Sequence, residues 1–240
     1  MSVQQSELIW RKSATGSSDG GAVSGTLLTT GLKNDLWPNI SDASRVAGGT
    51  RIKKVFVCND AATDALVLPA LWIFQQPTNI AQQIGLGFDD TNDADGAQGN
   101  MTDLSASALI AFTSSAADVR TGTLWGLDAG GVPQTETITL NGTTEVLSVG
   151  TYSVVEGFHL ASTNGNTVLL KEGTGGTTRG TIGSGKSACW LWFDANSKAT
   201  GILLPSLPAL SNYGVWAKQT WIASAGGVRP DADILAIEES

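Results

Sequence analysis

The stretch TLWGLDAGGVPQTETITLNGTT, residues 123–144, indicates the fold class of this chain most directly. Within TETITLN, Glu136, Ile138 and Leu140 alternate with threonines at 135, 137 and 139, which is the period-2 pattern of a strand with one buried face. On either side, LDAGGVPQ and LNGTT contain the Gly, Asn, Asp and Pro residues that tight turns require. The stretch therefore predicts two strands, each followed by a turn.

The same pattern recurs along the chain, whereas helical periodicity is almost absent. Short runs rich in β-branched and aromatic residues lie between turn signals, and Asn-Gly in TNGNT, residues 163–167, predicts a further hairpin. Many short strands at this spacing predict an all-β sandwich or barrel. We expect strands at residues 7–12, 22–30, 51–59, 65–75, 84–88, 122–127, 134–140, 145–149, 152–160, 168–172, 188–194 and 213–222.

Composition is that of a globular, turn-rich chain. Of its 240 residues 41% are hydrophobic and only 15% are charged, and 29 are glycine. The net charge is −8 and the 14 basic residues are scattered. Such a surface repels phosphate backbones, so we expect no direct binding of nucleic acid, and the acidity serves solubility instead.

The two cysteines and the chain's apolar runs indicate where the protein is made. Cys58 and Cys189 lie far apart in apolar, strand-like runs, which predicts reduced core residues and neither a disulfide framework nor a zinc site. The opening MSVQQSELIWRK lacks the apolar region of a signal peptide, and no apolar run approaches the ~20 residues of a membrane helix. We expect synthesis in a cytoplasm and no membrane partner.

One stretch, RGTIGSGKSACWLWFD at 179–194, reads like an NTPase. Gly180, Gly185, Lys186 and Ser187 fit the phosphate-binding loop G-x-x-x-x-G-K-[ST], and WLWFD imitates the apolar run that ends in a magnesium-binding Asp. A working loop needs a buried strand before it and a helix after it. EGTGGTTR precedes it and an alternating strand pattern follows, so a glycine-rich hairpin with a solvated Lys186 is the better interpretation.

Other chemical candidates are weak. His159 is the single histidine and lies in a predicted strand without a G-x-S-x-G elbow, so it reads as structural. DDTNDADGAQGN, residues 89–100, fails the EF-hand frame, which favours a solvated loop over a calcium site. The carboxylate pairs at 89–90 and 238–239 lie in that loop and at the terminus; a glycosidase pair elsewhere stays open. We predict no catalytic, cofactor-binding or metal-binding residues.

The tryptophans suggest contacts rather than chemistry. A strand over ACWLWFD places Trp190 and Trp192 on one face and Cys189, Leu191 and Phe193 on the other, so both faces are apolar. WAKQTW has the same implication for Trp216 and Trp221. These four residues are candidate interface anchors; large core residues and a sugar-stacking platform are the alternatives.

Two segments resemble a family of tailed-bacteriophage virion structural proteins. Residues 19–60 share its Gly-Gly-Ala-φ-Ser start, its Asn-x-Leu-φ-Pro element and a Gly-Thr strand that ends on Asn, and 213–239 look like its closing strands. Residues 122–160 are similar to a β module common in phage structural proteins. The resemblance implies a β-sandwich, jelly-roll or Ig-like, formed by both chain ends (1–104 and 186–240) with an inserted β module at 105–185.

The resemblance also implies a function. We expect a non-enzymatic virion component that assembles with copies of itself and other virion proteins, in the neck, tail or baseplate. Sheet edges and the terminal arms at 1–5 and 228–240 would make the contacts. The alternatives are a capsid decoration protein and a carbohydrate-binding module for host attachment. The expected location is the virion, after synthesis in the bacterial cytoplasm.

Overall fold

The computed structural model confirms an all-β fold in which the strands named below pair antiparallel. It divides into two compact units: unit 1 comprises Met1–Ala94 and Phe193–Ser240, and unit 2 comprises Asp95–Trp192. The sequence placed these boundaries near 104 and 186. The structure describes residues 3–14, 21–29, 35–37, 40–67, 69–75, 82–88, 101–162, 165–193, 201–204, 206–223 and 234–238.

Unit 1 contains two sheets built from both ends of the chain. One sheet has the order β2-β1-β3-β15-β5 and the other β14-β4-β16. A short helix precedes β3. These elements are β1 (Leu8–Ser13), β2 (Val23–Leu27), α1 (Asp42–Ala47), β3 (Gly49–Asn59), β4 (Ala70–Gln75), β5 (Gln82–Phe88), β14 (Ile202–Leu203), β15 (Ser211–Trp221) and β16 (Ile234–Glu238).

The pairing of β3 with β15 is the central feature of unit 1. It runs without a break from Gly49 opposite Trp221 to Asn59 opposite Ser211. At its end, the buried Asn59 carboxamide donates to the carbonyls of Asp64 at 2.8 Å and Leu207 at 3.1 Å, while its Oδ1 accepts from the N–H of Ala61. One side chain therefore ties two loop segments, that of Ala61 and Asp64 and that of Leu207, to the end of the sheet.

Part of a predicted terminal arm belongs to the chain's own fold. Residues Ile234–Glu238 form β16 and pair with β4. That portion of the 228–240 arm is therefore already a strand of unit 1. Residues 228–233 and 239–240 lie outside the described residues, as do residues 1 and 2 of the other arm.

Unit 2 is a sandwich of two four-stranded sheets, ordered β13-β10-β7-β8 and β12-β11-β6-β9. The Phe112 and Phe158 rings, one from each sheet, meet at 4.6 Å between centroids. In β8 the threonines at 135, 137 and 139 are exposed and Ile138 is buried, as their alternation predicts. The strands are β6 (Ile110–Ser114), β7 (Thr121–Leu127), β8 (Pro133–Thr139), β9 (Val146–Leu147), β10 (Val154–Leu160), β11 (Val168–Glu172), β12 (Thr178–Ile182) and β13 (Ala188–Trp190).

Two predicted hairpins are wrong because the chain changes sheet at both turns. β10 pairs with β7 and β13, while β11 pairs with β6 and β12, so the 163–167 connection crosses between sheets. The glycine-rich turn at 183–187 likewise leads from β12 to β13 in the other sheet. Turn residues predict that the chain reverses, but they do not determine which strand receives it.

Some elements were missed or misjudged in length. The sequence pattern did not predict α1, although Ser41 accepts the N–H of Ser44 at its start and Gly48 ends it with a φ of 72°. It also missed β6, whose continuous apolar run lacks alternation, and the short β12 and β14. The predicted strand at 145–149 shrinks to two residues, because the Ser148 hydroxyl accepts the N–H of Ile110 and donates to the Gly150 carbonyl.

We predict that Asn59→Ala loosens the end of the β3–β15 pairing. It removes the donor to the buried or partly buried carbonyls of Asp64, Leu207 and Pro208, a loss of about 1–3 kcal/mol. Hydrogen exchange followed by mass spectrometry should show faster exchange for peptides 49–59 and 211–221. The control is Asn166→Ala, which removes one exposed bond to the Ala117 carbonyl and should leave those peptides unchanged. Equal protection in wild type and Asn59→Ala would refute the role of this side chain.

Candidate assembly surfaces

The four candidate interface tryptophans are divided between the units. Trp190 and Trp192 belong to unit 2, and Trp216 and Trp221 belong to unit 1. Trp190 is 1% exposed and Trp216 is 0% exposed. These two side chains therefore fit the alternative that they are large core residues. Trp192 and Trp221 are half-buried and retain accessible surface.

Trp190 lies opposite a glycine that makes room for a second tryptophan. In the sheet, Gly157 pairs with Trp190 on one side and Trp125 on the other, so the two rings share its face. A Cβ on Gly157 would lie 2.3 Å from Cζ2 of Trp125. The next residue, Phe158, points to the opposite face and meets Phe112. The strand is thus buried on both faces.

Trp192 lies just beyond the end of β13. Its ring meets that of Trp190 edge-on, with centroids 5.7 Å apart and planes at 73°. This geometry agrees with the prediction that both rings lie on one face, and edge-to-face contact is favourable for aromatic pairs. The predicted strand at 188–194 is, however, a strand only as far as Trp190.

Trp216 forms part of a buried cation–π cluster. It pairs across the sheet with Lys54, whose Nζ lies 5.2 Å from the Trp216 ring centroid and 5.6 Å from that of Phe56. Lys54 is itself buried. A desolvated ammonium over aromatic faces is a strong form of this interaction, so Trp216 stabilises the middle of the β3–β15 pair.

Trp221 is held at the far end of the same pair. The Arg51 guanidinium lies 5.8 Å from the ring centroids of both Trp221 and Trp37, and Arg51 Nε donates to Gln219 Oε1 at 2.6 Å. The indole N–H of Trp221 donates to the Ser44 carbonyl of α1 at 3.0 Å. These contacts hold the half-buried ring in place at the surface of unit 1.

Two exposed aliphatic residues accompany Trp221. Val46 in α1 is 59% exposed, and Ile222, the next residue after Trp221, is 65% exposed. The two segments touch, because a Cβ on Gly48 would lie 2.8 Å from the Ala223 nitrogen. We call Val46, Trp221 and Ile222, which lie on these two adjoining segments, the Trp221 patch. Exposed apolar residues on adjoining segments are candidates for an interaction site.

The NTPase-like stretch has no phosphate-binding geometry. Gly180 lies within β12, Gly185 adopts a φ of 75° in a turn closed by the Lys186 N–H to the Gly183 carbonyl at 3.1 Å, and β13 follows at once. A strand stands where the motif requires a helix. The nearby Arg179 pairs with Glu172, and Asp194 lies outside the described residues.

Glu172 is a heavily hydrogen-bonded carboxylate of unit 2. It accepts from the Ser105 hydroxyl and N–H, the Ala106 N–H and Arg179 Nε. The bonds from Ser105, with help from Arg179, lower the pKa of Glu172 to about 2. Glu172 thus holds the segment of Ser105 and Ala106 in place. The hydrogen bonds that do so are also the cause of its lowered pKa.

His159 and the two cysteines lie within the fold in surroundings typical of structural residues. His159 is half-buried within β10, and Cys58 and Cys189 are buried free thiols. Burial raises the pKa of both thiols, that of Cys58 to about 11. Within the described ranges no cluster of three or more His, Cys, Asp or Glu residues could hold a metal ion. The 89–100 loop lies outside them.

Glu156 is a buried carboxyl that the sequence analysis missed. It is 4% exposed, and it sits in a β-bulge because Val155 pairs with Gly126 while Gly157 already pairs with Trp125. Burial raises its pKa to about 8. A lone Glu in the apolar run VVEGFHL was the available signal.

Comparison of the chain with protein-family models, with curated protein sequences and with solved structures gives no match. Among the described residues, no helix is long and apolar enough to cross a membrane.

We predict that Gly157→Ala destabilises unit 2. The new methyl group would collide with the Trp125 ring, and overpacking of this kind costs about 1–3 kcal/mol. Thermal unfolding should begin at a lower temperature, with faster hydrogen exchange in β7 and β10. Gly165→Ala is the matched control, since nothing lies within 4 Å of that added Cβ. If both variants unfold like wild type, Trp125 does not constrain position 157.

We predict that Glu156→Gln changes how stability depends on pH. The folded pKa of about 8 exceeds the ordinary 4.5, so between these values the unfolded chain releases a proton that the folded chain keeps. Wild-type stability should therefore fall as pH rises through this window, by up to about 1.4 kcal/mol per pH unit, and level off above pH 8. The neutral Gln variant should lack this component.

The measurement is urea denaturation of both proteins between pH 5 and 9. The difference in unfolding free energy, variant minus wild type, should increase with pH up to about 8. A difference that is independent of pH would show that the Glu156 carboxyl is already ionised in the folded protein at neutral pH.

Proposed function

We propose that this chain is a non-enzymatic structural component of a tailed-phage virion, placed in the neck, tail or baseplate. The resemblance of residues 19–60, 122–160 and 213–239 to virion structural proteins supports the proposal. The observation that carries it is the Trp221 patch. Exposed apolar surface of this kind serves a protein that binds other proteins, whereas a monomer that binds nothing has no use for it.

The Trp221 patch has the properties of an interface core. Its tryptophan is fixed in place by Arg51 and by the Ser44 carbonyl, so little side-chain entropy is lost when a partner covers it. Val46 and Ile222 add exposed aliphatic surface on the adjoining segments. Rigid aromatic residues with aliphatic neighbours are typical anchors of protein interfaces.

Two of the described sheet edges, those at β5 and β8, are contacted by other parts of the chain. The outer edge of β5 is occupied at Leu86 by Phe193, with bonds of 2.9 and 2.7 Å in the two directions. Beside β8, the Glu136 carboxylate accepts the N–H groups of Val149 and Gly150. Covered edges of this kind resist edge-to-edge association, so side-chain packing at the Trp221 patch is the better-supported contact.

A capsid decoration protein is the runner-up for the position in the particle. A neck or tail component should form closed oligomers or bind tail proteins, and a decoration protein should bind preformed capsids and stay monomeric or trimeric in solution. Light scattering after size exclusion, with a capsid pull-down, separates the two. Specific glycan binding that is lost on Trp→Ala would instead favour host attachment.

We predict that Ile222→Glu prevents assembly while leaving the fold intact. A charge in the centre of an apolar contact must be desolvated, which weakens association strongly. Val67→Glu is the control: Val67 is 49% exposed in the same unit. Val67 lies at the other end of the sheet from Trp221. Its neighbour Leu66 pairs with Leu207, and the Leu207 carbonyl accepts a hydrogen bond from Asn59, the last residue of β3.

Light scattering should show a smaller oligomer for Ile222→Glu than for the wild-type and Val67→Glu proteins. In particles purified from the producing cells, mass spectrometry should find the wild-type and Val67→Glu proteins but not Ile222→Glu. Absence of the wild-type protein from such particles would reject the proposed function. Equal incorporation of all three proteins would reject the Trp221 patch as its surface.

A further inference from the structure

One edge of the five-stranded sheet of unit 1 is open. Its outermost strand is β2 (Val23–Leu27), and no strand in the described ranges of the chain pairs with the far side of β2. Residues 25–27 are exposed, with Leu27 at 50%, and a Cβ added to Gly25 would have no described atom within 4 Å. We call this outward side of Val23–Leu27 the β2 edge. It has room for a further strand.

The hydrogen bonds at the Leu27 end of β2 show which way its backbone groups point. The Leu28 N–H donates to the Trp10 carbonyl of β1 at 2.9 Å, so these two residues form a hydrogen-bonded pair. Hydrogen-bonded and non-hydrogen-bonded pairs alternate along an antiparallel ladder. Leu27, opposite Arg11, is therefore in a non-hydrogen-bonded pair, and its N–H and C=O point away from β1.

The Val23 end of β2 has the same arrangement. The Ala14 N–H donates to the Ala22 carbonyl at 2.8 Å, which makes the neighbouring pair of Ser13 with Val23 a non-hydrogen-bonded one. The N–H and C=O of Val23 therefore also point away from β1. The β2 edge thus presents donors and acceptors at both ends, and no strand of the described chain uses them.

Between these two ends β2 is bent. Three residues of β2, 24–26, lie opposite one residue of β1, Lys12, and the Ser24 hydroxyl accepts the Thr26 N–H at 3.1 Å within this bulge. A bulge twists an edge strand and so restricts pairing to a strand of matching shape. A second copy of β2 has the same bend.

The side chains of β2 are arranged so that the strand matches itself. Its sequence, VSGTL, reads apolar, hydroxyl, glycine, hydroxyl, apolar in either direction. In an antiparallel pair of two such strands centred on Gly25, Val23 lies opposite Leu27, and Ser24 lies opposite Thr26. Apolar side chains then meet apolar ones and hydroxyls meet hydroxyls, which are favourable cross-strand pairs. Pairing across a twofold axis requires this self-complementarity.

Charge also favours a second copy as the partner. The chain has a net charge of −8, so two copies repel each other in general, whereas β2 has no charged residue. The basic side chains of β1 behind it are compensated, because Arg11 pairs with Asp60 at 3.1 Å and Lys12 pairs with Asp35 at 2.6 Å. Edge strands that avoid pairing often carry Lys or Pro, and β2 has neither.

Other described edges are less suited to such pairing. Beside β12, the Thr102 N–H donates to the Arg179 carbonyl at 2.8 Å, and beside β13 the Met101 N–H donates to the Trp190 carbonyl at 3.2 Å. Phe193 occupies the edge of β5 in the same way. Segments of the chain itself thus contact these edges, whereas the described chain leaves the β2 edge open.

We propose that the β2 edge pairs with the β2 edge of a second copy of this chain, antiparallel and centred on Gly25. Val23 then exchanges two hydrogen bonds with Leu27 of the second copy, and Leu27 does the same with Val23 of the second copy. The two five-stranded sheets become one continuous sheet. β1 and β3 separate β2 from β15, so the Trp221 patch stays free for other contacts. The use of this dimer in a particle rests on the function proposed above.

The first test places a charge on the twofold axis. Gly25 has room for a side chain and no positive φ, so Gly25→Lys should fold normally. It brings two ammonium groups face to face, which should weaken the dimer at least about tenfold. Gly165→Lys adds the same charge at another open glycine and is the matched control. Sedimentation equilibrium, with all variants made in the Ile222→Glu background, measures the β2 contact without the Trp221 patch.

A charge swap separates loss of pairing from loss of structure. Gly25→Lys and Gly25→Glu should each dimerise weakly, whereas an equal mixture should dimerise within about threefold of the Ile222→Glu parent, because opposite charges then face each other. A parent that stays monomeric, a Gly25→Lys dimer as tight as that of the parent, or a mixture that fails to dimerise would each overturn the proposed pairing.

A crosslink tests whether the same contact is used in particles. Residues of a hydrogen-bonded pair have Cα atoms about 5.5 Å apart, a separation that a disulfide spans. Gly25→Cys should therefore give a covalent dimer under mild oxidation, in solution and in purified particles, and Gly165→Cys should not. Particles that contain only the monomer would overturn the β2 pairing and leave the proposed function standing. A crosslinked dimer in solution, with no chain in particles, would reject the function and keep the pairing.

Discussion

Unit 1 depends on the antiparallel pairing of β3 with β15, which joins residues 49–59 to residues 211–221. This pairing places β15 between β3 and β5, so every other strand of the five-stranded sheet takes its position from it. Lys54 and Trp216 fill its middle, and Asn59 ties down its end. Because the partners are more than 150 residues apart, the sheet can close only after unit 2 has been made, which predicts slow, topology-limited folding.

Unit 2 shows the same dependence on a small number of close fits. Gly157 is a glycine because two tryptophans, Trp125 and Trp190, lie on either side of it on one face of the sheet. The bulge beside it buries Glu156, and this burial raises the pKa of the Glu156 carboxyl. Packing determines the residue type in the first case and the direction of the pKa shift in the second.

One surface proposed for contact is the Trp221 patch. Its tryptophan ring is held in place by Arg51 and by the Ser44 carbonyl, and exposed aliphatic side chains lie on the adjoining segments. Such a surface suits a contact that excludes water.

The sequence by itself determined the features that depend on neighbouring residues. The alternation of TETITLN predicted β8 and its buried face, and most other strands followed from apolar runs between Gly and Asn turns, because side-chain period and turn conformation are local properties. The missed α1 had its signals too, in the Ser41 cap and the Gly48 stop.

Only the tertiary structure decided which strands pair, and therefore which side chains meet. In the structure, two predicted hairpins connect strands of different sheets. Trp190 and Trp216 are buried, whereas Trp221 keeps accessible surface. Strand register also brings Arg11, Cys58 and Asn212 to one face of the five-stranded sheet, although they are far apart in the chain. No local pattern encodes such meetings, because they follow from the long-range register that packing of the whole chain selects.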